Sequence, residues 1–243
     1  MIGAFWSSLA ACGQRDAEGA HNGAIATVSD PLSFTQQTKV LASDKKCQEY
    51  FGGTVAVSGD TLLVGAPNDV EAYGPGEAYF YVRSGSTWVQ QGPPLGLPGG
   101  GASGDGFGAS VALDGNTALI TASSPLSASG VFVFARTGTT WAVQGSPILN
   151  PEQNGSNGIG LGCSKLSGDT ALCQAHNVAY VFVRSGTTWT EQAKLVPSDF
   201  AGQDSVTPLD LSSSGNTVLL GIYNKTVGTN VLQGAAYVFV RNG

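Results

Sequence analysis

Tyr79-Phe80-Tyr81-Val82-Arg83-Ser84-Gly85-Ser86-Thr87-Trp88 decides how this chain is read, because it returns three more times. The copies are Val131-Phe132-Val133-Phe134-Ala135-Arg136-Thr137-Gly138-Thr139-Thr140-Trp141, Tyr180-Val181-Phe182-Val183-Arg184-Ser185-Gly186-Thr187-Thr188-Trp189 and Tyr237-Val238-Phe239-Val240-Arg241-Asn242-Gly243. Working outward, a second hairpin precedes each copy. In the first unit it reads Val55-Ala56-Val57-Ser58-Gly59-Asp60-Thr61-Leu62-Leu63-Val64-Gly65, with counterparts at 111–121, 164–174 and 209–221. The Gly-Asp and Gly-Asn pairs inside these hairpins supply the positive φ that a tight turn requires.

Two hairpins per unit make four short strands, repeated about every 50 residues. No stretch holds a sustained 3.6-residue periodicity, and glycine recurs too often for long helices. Four-stranded antiparallel units at this period predict an all-β chain of β-propeller blades. A Greek-key sandwich has no need of the same hairpin pair four times. Composition agrees. The chain has 243 residues, 35 of them Gly, and only 12% are charged. That is about 14% Gly against about 7% in an average chain, and half the usual charge. The length suits one large all-β domain or two smaller ones. A net charge of −6 with no basic run beyond Lys45-Lys46 suits no phosphate backbone, so nucleic acid is excluded as a partner. No run of 18 apolar residues exists to span a membrane.

Phe51-Gly52 followed by Gly65-Ala66-Pro67, and Phe107-Gly108 followed by Thr121-Ala122-Ser123, carry a further resemblance. Worn copies stand at Gly160-Leu161 with Gln174-Ala175-His176, and at Ser205-Val206 with Gly221-Ile222-Tyr223. With the aromatic hairpins, the chain over residues 34–243 resembles the bacterial, extracellular FG-GAP repeat proteins, relatives of the integrin α-chain propeller. The resemblance implies a propeller of about seven blades, an extracellular setting and calcium-binding loops between the first two strands of a blade. Here those loops are Ser58-Gly59-Asp60, Asp114-Gly115-Asn116, Ser167-Gly168-Asp169 and residues 212–216, with at most one carboxylate each. A calcium site needs six or more oxygens, so no metal and no cofactor is expected.

The blades fall at about 51–94, 107–148, 159–195 and 206–243. Phe34-Thr35-Gln36-Gln37-Thr38-Lys39-Val40 aligns with Trp189-Thr190-Glu191-Gln192-Ala193-Lys194-Leu195, so residues 34–41 read as an outer, closing strand for a last blade that lacks its fourth. Two readings stay open: four blades latched into a small ring, or part of a larger ring. Residues 1–33 are read apart. Leu9-Ala10-Ala11-Cys12-Gly13 resembles a bacterial lipobox, with Cys12 the lipidated residue and the only route to a membrane. No Lys or Arg precedes it, whereas a signal opens with a basic region. The expectation is a lipoprotein signal lacking its start, followed by a tether; the alternative is strands of another incomplete blade. Cys163 and Cys173 lie on the two arms of one hairpin, five residues each side of Gly168. They read as a disulfide or as two small buried residues, the former in an exported protein.

Catalytic constellations do not emerge. His21 and His176 are the two histidines, and neither joins a cluster of metal ligands. There is no Gly-x-Ser-x-Gly elbow. Gly99-Gly100-Gly101-Ala102-Ser103-Gly104 matches a dinucleotide pattern but follows Leu97-Pro98 in a loop, with no helix after it. The expectation is therefore a binding module and no enzyme, with a propeller hydrolase as the remote alternative. Trp88, Trp141 and Trp189 could stack on sugars in a lectin, but their identical repeat positions favour packing between blades. The loops between second and third strands vary in length and share one face, where binding residues concentrate. The expected ligand surface is Asp69, Glu71, Tyr73, His176, Asn177, Tyr223, Asn224 and Lys225, for a protein or glycan partner.

Overall fold

A computed structural model describes residues 35–44, 50–67, 74–123, 129–152, 161–175 and 177–242. Residues up to Lys39 and residues from Val40 onward form two separate units, and the fold below is that of the second. Every regular element among the described residues is a strand. Four antiparallel sheets follow one another as propeller blades. Blade 1 is β1 (Thr54–Ser58), β2 (Thr61–Ala66), β3 (Glu77–Ser84) and β4 (Thr87–Gln90). Blade 2 is β5 (Val111–Asp114), β6 (Thr117–Ala122), β7 (Gly130–Thr137) and β8 (Thr140–Val143). Blade 3 is β9 (Gly162–Ser167), β10 (Thr170–Ala175), β11 (Val178–Ser185) and β12 (Thr188–Leu195). Blade 4 has three strands, β13 (Val206–Leu211), β14 (Thr217–Ile222) and β15 (Ala235–Val240).

Register follows from the turns. Ser58 pairs with Thr61 across Gly59-Asp60, and Asp114 with Thr117 across Gly115-Asn116. Gly59 and Gly115 both adopt φ +54, which a side chain adopts only at a cost. Proline sets the length of the outer strand. Blades 1 and 2 break after β4 and β8 at Pro93-Pro94 and Pro147, and the chain rejoins β3 and β7 only at the single bridges Ala78–Leu95 and Val131–Ile148. Blade 3 has Gln192-Ala193-Lys194 there, so β12 runs on to Leu195 with one bulge. Proline cannot donate to a ladder, which accounts for the difference.

The core lies between blades. Leu63 and Phe80 of blade 1 meet Ile120, Phe134 and Trp141 of blade 2. Leu119 and Val133 of blade 2 meet Cys173, Tyr180 and Phe182 of blade 3. Leu172 and Val181 of blade 3 meet Val218, Leu220 and Ile222 of blade 4. Blades 2 and 3 are thus covered by a neighbouring sheet on both faces, and blades 1 and 4 on one, at roughly 25 cal/mol per Å² of apolar surface removed from water.

The closing strand expected at 34–41 has no counterpart among the assigned strands. Residues 35–42 carry no strand, and β15 has no strand on its outer edge among the described residues. Instead Val40 and Ala42 pack with Phe51 on Tyr79 and Tyr81 of blade 1. The Tyr81 hydroxyl donates to the Leu41 carbonyl at 2.8 Å. Burial, then the nearby Asp44 carboxylate, pushes Tyr81 up to about 12.

The Phe-Gly and Gly-Ala-Pro letters have a physical cause. Gly108, at φ +95, lies against the backbone of Gly65 and Ala66, and a Cβ on Gly65 would collide with the Gly108 carbonyl and the Thr54 hydroxyl. The Thr54 hydroxyl also donates to the Gly108 carbonyl at 2.7 Å. One backbone-to-backbone approach therefore demands both glycines. Gly65→Ala is expected to destabilise by about 1–3 kcal/mol, as overpacking does. Exposed Gly96, whose Cβ meets nothing within 4 Å, serves as the control: Gly96→Ala should be neutral or gain up to about 1 kcal/mol. Urea unfolding of both variants measures the contrast.

Candidate functional site

An antiparallel meander places the β1–β2 and β3–β4 turns of a blade at one end. The β2–β3 loop and the connection to the next blade lie at the other. Blade 4 shows this second end in full. There the β14–β15 loop, residues 223–234, meets the blade 3 to blade 4 connection, residues 196–205. Ala201-Gly202-Gln203-Asp204 turns back on itself, and the Asp204 Oδ2 accepts the Ala201 N–H at 2.8 Å. Blade 2 makes the same turn, with the Asp105 Oδ2 accepting from Ala102 N–H at 2.7 Å.

Blade 4 adds a cation. Lys225 donates from Nζ to the Asp204 Oδ2 at 2.8 Å and to the Asp199 carbonyl, with the Asp199 carboxylate 3.5 Å away. Lys225 and Asp204 are each only 5% exposed. The hydrogen bond from Lys225 holds the Asp204 carboxyl below its ordinary value, and the Ala201 N–H assists. Lys225 is raised by that same bond, against the desolvation that opposes it. Burial, followed by a hydrogen bond to Asp199, raises Tyr237 beneath. Asn224 completes the pin, accepting from Ser205 N–H at 2.8 Å and donating to the Gln203 carbonyl at 2.6 Å.

Beside this pin lies an open cavity of about 390 Å³, lined by Gln203, Asp204, Asn224, Lys225, Val231 and Leu232. Two of its lining residues, Val231 and Leu232, are apolar and 73% and 66% exposed, and Tyr223 of the same loop is exposed too. The loop is kept in shape by paired backbone hydrogen bonds between Val227 and Asn230. Leu232 stands at φ +57, uncommon for a residue with a side chain.

Of the expected ligand surface, Tyr223, Asn224 and Lys225 open the β14–β15 loop beside this cavity. Lys225 and Asn224 are occupied in holding the loop, and Tyr223 projects outward. Asn177 is exposed in the short connection between β10 and β11. Asp69, Glu71, Tyr73, His176 and Cys12 lie outside the described residues, as do Cys47 and His21. Cys163 and Cys173 are joined in a disulfide within blade 3. Sequence reasoning missed Asp199, Asp204, Val231 and Leu232. The Ala-x-x-Asp spacing shared by 102–105 and 201–204 was a signal for Asp204, and Val231-Leu232 inside a loop was a signal for the exposed apolar pair.

Trp141 is buried between blades. Trp141 stacks on Phe80 of blade 1 at 4.0 Å and 12°, and its Nε1 donates to the Gln91 Oε1 at 3.1 Å. Arg136 and Arg184 lie over Trp141 and Trp189 at 5.3 and 5.4 Å, where cation–π attraction adds to the packing.

With the blades and glycine contacts in view, comparison with known proteins is decisive on the repeat. The family model described as the FG-GAP repeat matches residues 34–81 and 97–130. The chain carries FG-GAP repeats. No curated protein matches it significantly. Among solved structures, this FG-GAP chain is similar to a periplasmic gluconolactonase of Pseudomonas aeruginosa, at 13% identity and TM-score 0.38, over 70% of this chain and 64% of that one. It is also similar to a GH74 enzyme of Niastella koreensis, at 15% identity and TM-score 0.44, over 78% of this chain and 28% of that one. A third is a protein from Lactobacillus plantarum, at 12% identity and TM-score 0.37, over 79% of this chain and 70% of that one. The chain thus spans less than two thirds of the length of the first two. None of the three bears on what this chain binds or catalyses.

The Lys225–Asp204 pin predicts a pH dependence with a definite sign. Asp204 is lowered from 3.8, so its contribution is complete above that value and is lost as pH falls through the folded one. Lys225 is raised from 10.5, so its contribution is complete below that value and is lost as pH rises through the folded one. Between these limits the pin is fully formed. Lys225→Met leaves Asp204 without its cation, and the acid unfolding midpoint followed by circular dichroism is expected to move up. An unchanged midpoint would remove Lys225 from this role.

Proposed function

We propose that this FG-GAP propeller is an exported, envelope-tethered module that binds a protein or matrix partner through its loop face. The observation that carries the reading is the set of exposed apolar side chains on one loop, Val231 and Leu232 lining a cavity and Tyr223 on the same loop, anchored by a buried ion pair. Exposed apolar groups on a rigidly anchored loop bury surface on binding without a large ordering cost, which is how compact interfaces gain affinity. The disulfide within blade 3 supports an oxidising compartment. Tethering would fall to Cys12.

The test is an array of matrix proteins and glycans probed with the intact chain and with a Tyr223→Ala/Val231→Ser/Leu232→Ser variant. All three side chains are exposed, so the variant is expected to melt as the parent does. Binding to a protein spot, weakened at least tenfold in the variant, is the expected result. Equal binding by both chains would overturn the loop assignment. Glycan binding that survives the loop changes would replace adhesion with a lectin, and turnover of a chromogenic ester or glycoside would replace both with a hydrolase.

A further inference from the structure

Three blade-to-blade junctions lie within the chain, and each is made in the same way. The leucine at the third position of the second strand, Leu63, Leu119 or Leu172, is wholly buried against the next blade. Its cross-strand partner, Phe80, Val133 or Val181, lies beside it. An arginine of the next blade reaches back to the threonine that opens that strand. Arg136 donates to Thr61 at 2.9 Å, Arg184 to Thr117 at 2.9 Å and Arg241 to Thr170 at 3.1 Å. The inner turns are tied as well, Gly115 N–H to the Ser58 Oγ at 2.9 Å and Gly168 N–H to the Asp114 Oδ2 at 2.6 Å.

The two ends of the series carry the unmatched halves of a fourth junction. On blade 4, Leu219 and Val238 pair across β14 and β15 as Leu172 and Val181 do across β10 and β11. Yet they are 46% and 64% exposed. Thr217 stands where Thr61, Thr117 and Thr170 stand, and no arginine among the described residues reaches it. On blade 1, Val55 and Val57 are exposed where Val111 and Leu113 of blade 2 are buried. Among the described residues, Arg83 reaches no threonine. Its Nε donates to the Gly85 carbonyl of its own turn at 3.1 Å, and Asp60 lies 3.8 Å away.

The segment over blade 1 does not obstruct such a junction. Val40 and Ala42 lie on blade 1 as Leu195 and Phe200 lie on blade 4, inside the junction between blades 3 and 4. The Tyr79 hydroxyl meets Asp44 at 3.0 Å as Tyr237 meets Asp199.

We propose that a second copy of this chain fills the gap, head to tail: the open face of blade 4 in one copy receives blade 1 of the other. Trp88 then covers Val238 as Trp141 covers Phe80, and Arg83 donates to Thr217. The occupant follows from continuity, because a face built like blade 1 presents an apolar first strand (Val55, Val57), a tryptophan (Trp88) and an arginine (Arg83) where blade 2 presents Val111, Leu113, Trp141 and Arg136 and blade 3 presents Trp189 and Arg184. A head-to-tail contact closes when the rotation fits and polymerises when it does not. Two copies supply eight blades, within the range that propellers adopt, so closure is expected at two.

Sedimentation of the purified chain tests this with two variants at exposed positions. Val55→Asp/Val57→Asp alters the blade 1 face, and Leu219→Asp/Val238→Asp alters the blade 4 face. The parent is expected to sediment at twice the chain mass and each variant at the chain mass, with melting curves confirming that both fold. An equimolar mixture of the two variants keeps one intact face from each and is expected to recover a dimer, weaker than the parent. A parent that stays monomeric up to its solubility limit, species larger than two copies, variants that still dimerise, or a mixture that stays monomeric would each overturn the proposal.

Discussion

Everything in this fold depends on one constraint, which is that a blade apolar on both faces cannot stand alone. Leu63, Leu119 and Leu172 reach zero exposure only because the next sheet lies over them, and the same residue type at the same position of blade 4 stays open. An isolated sheet of four strands would leave one such face in water, so stability accrues from neighbour to neighbour, as in repeat architectures generally. The polar links are subordinate. An arginine-to-threonine hydrogen bond contributes about 1.5–3 kcal/mol, comparable to one buried leucine, but each junction has one such bond against several buried apolar side chains. Such links fix where one blade sits against the next, and apolar burial supplies the adhesion.

Much of this was legible in the residues. Strand order, turn positions and the assignment of four blades follow from hairpins that repeat in phase, since a two-residue Gly-Asp or Gly-Asn turn fixes register within one position. The conformation of residues 35–42 was not legible. Phe34 to Val40 reads as a strand because its residue types match those of β12. Tyr79 and Tyr81 instead offered Val40 and Ala42 an apolar face. Local pattern states what a segment can become, and tertiary contact decides among the options.

The candidate site divides along a similar line. Variable loops on one end of the blades pointed to Tyr223, Asn224 and Lys225, which lie together at the start of the β14–β15 loop. Their roles were not legible, because a lysine in a loop reads as solvated until a buried carboxylate is found beside it. Asp204 lies 21 residues from Lys225, a separation at which no local rule operates. The exposed apolar pair was passed over for the opposite reason. Val231 and Leu232 resemble strand residues in a chain full of strands, and only their exposure sets them apart.

The close approach of Gly65 to Gly108 has an implication for the repeats that lack those letters. At the position of Gly65, blade 2 has Thr121, whose Oγ1 accepts the Cys163 N–H at 3.4 Å. Blade 3 has Gln174, whose amide reaches the Val206 carbonyl. Backbone touching backbone gives way to a short polar side chain and then to a long one. The worn copies have therefore exchanged a contact for a spacer, each one filling the gap it opens. A single column of the repeat thus works as a set of shims, and the pitch from one sheet to the next can be adjusted there without disturbing either sheet.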